Sequence, residues 1–177
     1  MPMTDDLVVL EPLFEHLDAI PRHGFRVYRG YPAEILIEHD PRAAANCTYA
    51  HMLAEADRRL PGIKGITPIE MNGLKVWNVE DKAVIRFKRM DEDGRSRNYP
   101  TRQAKAFDAG RELPGLPPPA VRLTIGYWLD PTQTEYYRTQ IAKPRGRLLP
   151  EWCAAIVTDP KSGRKQWVDV TRQARLP

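Results

Sequence analysis

The chain has 177 residues and 20.3 kDa, 42% of them hydrophobic and 28% charged, the size and make-up of one globular domain with a real core. No apolar run reaches the roughly 18 residues of a membrane span, and the acidic start MPMTDDLVVLEPLFEHL has no cationic leader, so neither a membrane partner nor a signal peptide is expected. Two cysteines, Cys47 and Cys153, exclude a disulfide scaffold and make a reducing cytoplasm the expected compartment. The net charge of +4 is uneven: −4 over residues 1–60 (6 Lys/Arg, 10 Asp/Glu), +3 over 61–110 (10 and 7) and +5 over 111–177 (11 and 6). The back half is therefore the part that suits a polyanion or an acidic partner.

Seventeen prolines predict short elements. A short helix is expected near Asp5 to Asp18 with Thr4 as its cap, and YPAEILIEH reads equally as helix or strand. A longer helix opens at Asp40-Pro41, an N-cap followed by a proline at the first helical position. Ala45, Tyr49, Met52, Leu53, Ala56 and Leu60 then recur at helical spacing until Pro61-Gly62 stops the pattern. From Thr67 the period becomes two. Asn72-Gly73 between TPIEM and LKVWNV is a hairpin signal, and AVIRFKRM adds a third strand to give a meander. Alternation in that strand sends Ala83, Ile85, Phe87 and Arg89 one way and Val84, Arg86 and Lys88 the other, so two cations share a face. The polar loop from Asp91 to Asn98 leads to a helix at Thr101 to Ala109, with Gly110 suited to its C′ position.

Beyond the proline spacer LPGLPPP (Leu113 to Pro119), Val121, Leu123, Ile125, Tyr127 and Leu129 alternate as a half-buried strand. TEYYRTQIAK continues the sheet, and EWCAAIV with QWVDV forms a further hairpin around TDPKSGRK. The expected architecture is α+β, one domain over residues 1–177. A mainly helical part (1–62) packs on one face of a mostly antiparallel sheet (67–177), with an inserted helix at about 101–109.

Three constellations bear on chemistry. Cys47, His51 and Glu55 fall on one side of the long helix, a partial ligand set that reads more simply as packing plus an exposed pair; no metal site is expected there. VWNVEDK, with Glu70 upstream and Glu55 on a helix, resembles the metal-dependent PD-(D/E)xK nucleases; it would make Glu55, Glu70, Glu80 and Lys82 catalytic around a divalent ion such as Mg²⁺. The acid-x-Lys word occurs twice, at Glu80 to Lys82 and at Asp159 to Lys161, and both fall where turns are expected. Outside that alternative no cofactor is expected. The third is a basic surface. Arg86 and Lys88 from a strand would join Arg95 and Arg97 from the loop, Arg102 and Lys105 from the helix, and Lys143, Arg145 and Arg147 from KPRGR, with Arg164 and Lys165 further on. Trp77, Tyr99, Trp128, Tyr136 and Tyr137 would be its stacking planes, the combination that sequence-tolerant single-strand binding uses. No phosphate-binding glycine loop and no G-x-S-x-G elbow is present.

IRFKRMDEDGRSRNYPTRQAKAF, then LPGLP, then VRLTIGYWLD (Ile85 to Asp130, roughly a quarter of the chain) resembles a group of small bacterial and prophage proteins from toxin–antitoxin-like or phage-defence gene pairs. The resemblance implies a setting and no catalytic residue. Together these readings predict a non-enzymatic macromolecule-binding protein, the effector or regulator of such a pair. Its basic strand–loop–helix would contact nucleic acid or a protein partner, and the nuclease is the alternative.

Overall fold

The computed structural model describes residues 2–97, 101–118 and 120–172. Helices fill the N-terminal part: α1 (Met3–Val8), α2 (Phe14–Arg29), α3 (Ala33–Glu38) and α4 (Pro41–Arg59). A seven-stranded sheet comes next, made of β1 (Ile66–Met71), β2 (Leu74–Val79), β3 (Ala83–Arg89), β4 (Val121–Leu129), β5 (Tyr136–Lys143), β6 (Trp152–Thr158) and β7 (Lys165–Asp169); α5 (Arg102–Asp108) lies between β3 and β4. The fold is α+β. Among the described residues no helix is long and apolar enough to cross a membrane.

The helix expected over Asp5 to Asp18 is divided. α1 ends at Val8, a 3₁₀ turn spans Glu11–Leu13 around Pro12, and α2 runs on to Arg29 with Pro21 inside it. Thr4 lies within α1, whose N-cap is Pro2, and no side chain caps that end. An interior proline costs a helix roughly 3 kcal/mol; α2 tolerates Pro21 because it buries Phe14, Leu17, Ile20, Pro21, Gly24 and Tyr28 along one face. Tertiary burial outweighs local propensity here. YPAEILIEH resolves as α3, which leaves Ile37 84% exposed. α4 starts where its cap directs: Asp40 Oδ1 accepts from the Ala43 N–H at 2.7 Å. α2 and α4 cross closely at Gly24, where a Cβ would sit 2.5 Å from Met52 Cγ and 2.8 Å from the Thr48 carbonyl oxygen.

The strands lie in chain order, β1 to β7. Asn72 (φ 46°) and Gly73 (φ 79°) make the tight left-handed turn that closes β1 on β2. Every neighbouring pair is antiparallel except β3 and β4, which run parallel from Ala83↔Val121 to Arg89↔Tyr127. The connection through α5 carries the chain from the Arg89 end of β3 back to its Ala83 end, as a parallel pair requires. It also puts α5 on the face opposite α2 and α4, so the N-terminal helices hold one face as expected and the inserted helix covers part of the other. Ile85 and Phe87 pack with Leu17, Met52 and Ile125 in the main core, whereas Val84 packs with Leu74, Val76 and Phe107 of α5.

Two buried carboxylates tie the helical layer to the sheet. Asp18 accepts from Arg22, Thr139 and Lys165, and Asp6 accepts from Lys143 Nζ (3.0 Å) and Trp152 Nε1 (3.2 Å). The pairing of the first hairpin with the rest of the sheet is incomplete. β1 and β2 pair along their whole length, but β2 meets β3 only at Trp77↔Ile85, Asn78↔Val84 and Val79↔Ala83. Past Ile85 the hairpin parts from β3, and Arg86 and Lys88 face the opening.

Candidate functional site: a basic cleft beside β3

The opening is a cleft of about 610 Å³ bounded by the end of β3, the loop at Gly94 to Ser96, α5 and the loop from Pro144 to Pro150. Local chemistry places each wall. Thr101 Oγ1 accepts from the Ala104 N–H (3.2 Å) and starts α5. Gly110, at φ 66°, ends it: the Gly110 and Arg111 amides return to the Phe107 and Ala106 carbonyls, the double bond of a Schellman cap. Arg102 and Lys105 are then three residues apart on a fixed short helix. Phe107 seats that helix on the sheet between the Arg86 guanidinium (4.6 Å from its ring centre) and that of Arg122 (5.7 Å). The Gly146 N–H donates to the Asp108 carbonyl (2.7 Å), fastening the loop that carries Arg145 and Arg147.

Arg86 forms the floor and is 1% exposed. Its Nε donates to Thr124 Oγ1 (3.0 Å), and its Nη2 donates to Ser96 Oγ (3.1 Å) and to Asp108 Oδ1. Nη1 is buried and has no partner among the described residues. Burial pushes the guanidinium pKa down and that of the Asp108 carboxyl up, and their mutual attraction offsets this only in part. Lys88 lies over the ring of Tyr49, its Nζ 4.3 Å from the centre. Burial and the neighbouring Arg86 bring its pKa down to about 8, against the pull of Asp108. No carboxylate among the described residues pairs with it.

Of the nine cations expected to form a surface, seven line this cleft: Arg86, Lys88, Arg95, Arg102, Lys105, Arg145 and Arg147. Arg95 is already held by Asp91 (2.9 Å) and Asp93 (3.3 Å). The other two lie elsewhere. Arg97 is exposed beyond the lining, its N–H bonded to the Arg89 carbonyl. Lys143 alternates with Ile141 onto the helical face and pairs with Asp6 and Glu151 (3.2 Å). Lys165 likewise pairs with Asp18 (2.7 Å). Among the stacking planes, Trp77 is buried, Tyr136 is stacked on Tyr127, and Tyr99 lies outside the described residues. Trp128 and Tyr137 pack on each other (4.4 Å between centroids) with Arg138 over Trp128, and Tyr137 is 63% exposed.

Sequence reasoning missed Arg111, Asp108 and Tyr49, which also line the cleft. Asp108 had a signal. A helix brought over Arg86 must supply a counter-charge, and it holds one carboxylate.

Glu55, Glu70, Glu80 and Lys82 are not brought together. Glu55 is buried between α2 and α4, bound by Arg58 and by Arg59 Nε (2.6 Å), with His23 at 3.7 Å. Glu70 faces Lys75 near one end of the β1–β2 hairpin, whereas Glu80 follows Val79 at the other, where its N–H meets the Gly65 carbonyl. Glu70 to the far end is about 16 Å at strand rise. Lys82 pairs with Glu80 (2.8 Å) in the exposed β2–β3 turn. His51 is taken by the Tyr31 hydroxyl (2.7 Å), and no group of three or more His, Cys, Asp or Glu among the described residues is placed to hold a metal.

The chain matches no family model, no curated protein and no solved structure. The cleft is therefore read from its own chemistry: cationic donors around a concavity whose only acid among the described residues, Asp108, is already committed to Arg86.

Proposed function

We propose that the protein binds single-stranded nucleic acid non-covalently in this cleft. One observation carries the reading. Lys88, Arg102, Lys105, Arg111, Arg145 and Arg147, drawn from three separate segments, surround one opening, and none forms an ion pair among the described residues. Cations that merely solvate a surface spread out or pair; these converge. A concavity of this size is too confined for a duplex and suits a strand backbone. Such a role, as effector or regulator, fits the gene-pair setting that the Ile85 to Asp130 words imply.

Binding of a fluorescent 20-nucleotide strand, monitored by anisotropy over a series of KCl concentrations, tests this. Log affinity is expected to fall linearly with log salt as counterions are released. Arg102→Glu with Lys105→Glu, both exposed positions, is expected to flatten the slope by at least about 1.4, at roughly 0.7 per lost phosphate contact. Affinity that ignores salt, or is unchanged in the double variant, would contradict the proposal.

A further inference from the structure

We infer that the floor of the cleft is a seat for a terminal phosphomonoester, so that the bound strand is held by its phosphorylated end. This rests on the nucleic-acid reading of the cleft and deepens it.

The cleft is graded in depth. Arg102, Lys105, Arg145 and Arg147 are exposed at its rim, whereas Arg86 is buried at its floor and Lys88 is partly buried beside it. The rim can track an internal phosphodiester, which carries a sugar on both sides. To reach the floor with such a phosphate, the strand would have to enter and leave through the same opening. A phosphate at a chain end has one substituent and can be inserted end-on.

The floor is also short of acceptors. Arg86 spends Nε and Nη2 on Thr124, Ser96 and Asp108, which leaves Nη1 in a buried position unmatched among the described residues. A buried donor without an acceptor is a costly arrangement that an oxyanion would relieve. Lys88 brings three more donors and, among the described residues, meets only the π-face of Tyr49. Ser96 and Thr124 accept from Arg86 through their oxygens, so each hydroxyl proton remains available. A phosphomonoester presents three terminal oxygens and up to two negative charges; a diester presents two and one. The donor count favours the former.

The test uses three oligonucleotides of one sequence, carrying a 5′-phosphate, a 3′-phosphate or neither, with the fluorophore placed internally. With the intact protein, one phosphorylated form is expected to bind about tenfold or more tightly than the bare strand, the range of charge-assisted contacts. The preferred arm identifies which end enters. Lys88→Met, which removes charge and donors while keeping a flexible chain against Tyr49, is expected to erase that preference, so that the phosphorylated strands bind no more tightly to this variant than the bare strand does. Equal affinity for all three strands, with salt-dependent binding intact, would overturn the terminal-phosphate seat and leave the cleft reading standing. A preference that survives in Lys88→Met would overturn it equally. Failure of every strand to bind would instead remove the nucleic-acid reading, and this inference with it.

Discussion

Asp108→Ala is expected to lower the free energy of unfolding by about 3 kcal/mol, a large effect for a residue on the rim of a surface cleft. Among the described residues Asp108 is the only acid that meets Arg86, and the Arg86 side chain is 2% exposed against 17% for its partner. Removing the carboxylate leaves a guanidinium that cannot give up its proton in a site without compensating charge. The reverse substitution is milder. In Arg86→Met the carboxylate regains water, Thr124 and Ser96 keep hydroxyls that can rebond, and about 1 to 2 kcal/mol should be lost. Because burial opposes the charged form of both partners, the pair contributes little net stability. Arg86→Met with Asp108→Leu should recover most of what Asp108→Ala loses. Urea unfolding of the four proteins checks the ordering, and an Asp108→Ala variant within about 0.5 kcal/mol of the parent would show that Arg86 is not effectively buried.

Lys88→Met is expected to move stability the other way. Lys88 has a pKa of about 8 in the folded protein against 10.5 for an unperturbed lysine, burial being the main cause and Arg86 the next. Arg86, Asp108 and the Tyr49 ring are the charged and titratable groups acting on it. Between the two pKa values the unfolded chain binds more protons than the folded one, so stability of the parent protein rises with pH across that window. Below about pH 8 the whole penalty of the buried charge is present. Removing the charge should therefore stabilise the protein at pH 7 by on the order of 2 kcal/mol, and the gain should shrink as pH approaches 10.5. Urea midpoints at pH 7 and pH 10 read this directly; a constant difference would show that Lys88 titrates normally. A lysine kept at a cost to the fold is what a binding site shows and a solvated strand face does not.

What the sequence made legible was local. Asp40 and Thr101 cap helices because their side chains reach amides three residues on, Gly110 ends α5 because the Schellman turn needs positive φ, and Asn72-Gly73 closes a hairpin. Lys143, which the KPRGR reading places on the basic surface, lies instead on the helical face with Ile141, two residues away in the same strand. The parallel pairing of β3 with β4 depends on where α5 docks, which Phe107 decides through Arg86 and Arg122 across the sheet. The partial pairing of β2 with β3, and thus the cleft itself, leaves no mark in either strand's alternation. Gly126 shows how tight the far side is: a Cβ there would fall 1.9 Å from the Lys88 carbonyl oxygen. That constraint joins two strands and is invisible in each alone. Arg86 and Lys88 read as equivalent neighbours on one face, yet α5 buries one and leaves the other beside the opening.

The most direct measurement is a backbone ¹H–¹⁵N titration of the protein with a short phosphorylated strand. The molecule has a second groove, on the helical side, of about 470 Å³ and lined by Arg22, His23, Arg26 and Arg59, but Arg22 is paired with Asp18 and Arg59 with Glu55. Shift changes concentrated at Lys88, Ser96, Arg102 to Ala106 and Arg145 to Leu148 are the expected result. Changes confined to the helical groove, or none at all at strand concentrations that saturate anisotropy, would contradict a binding cleft beside β3.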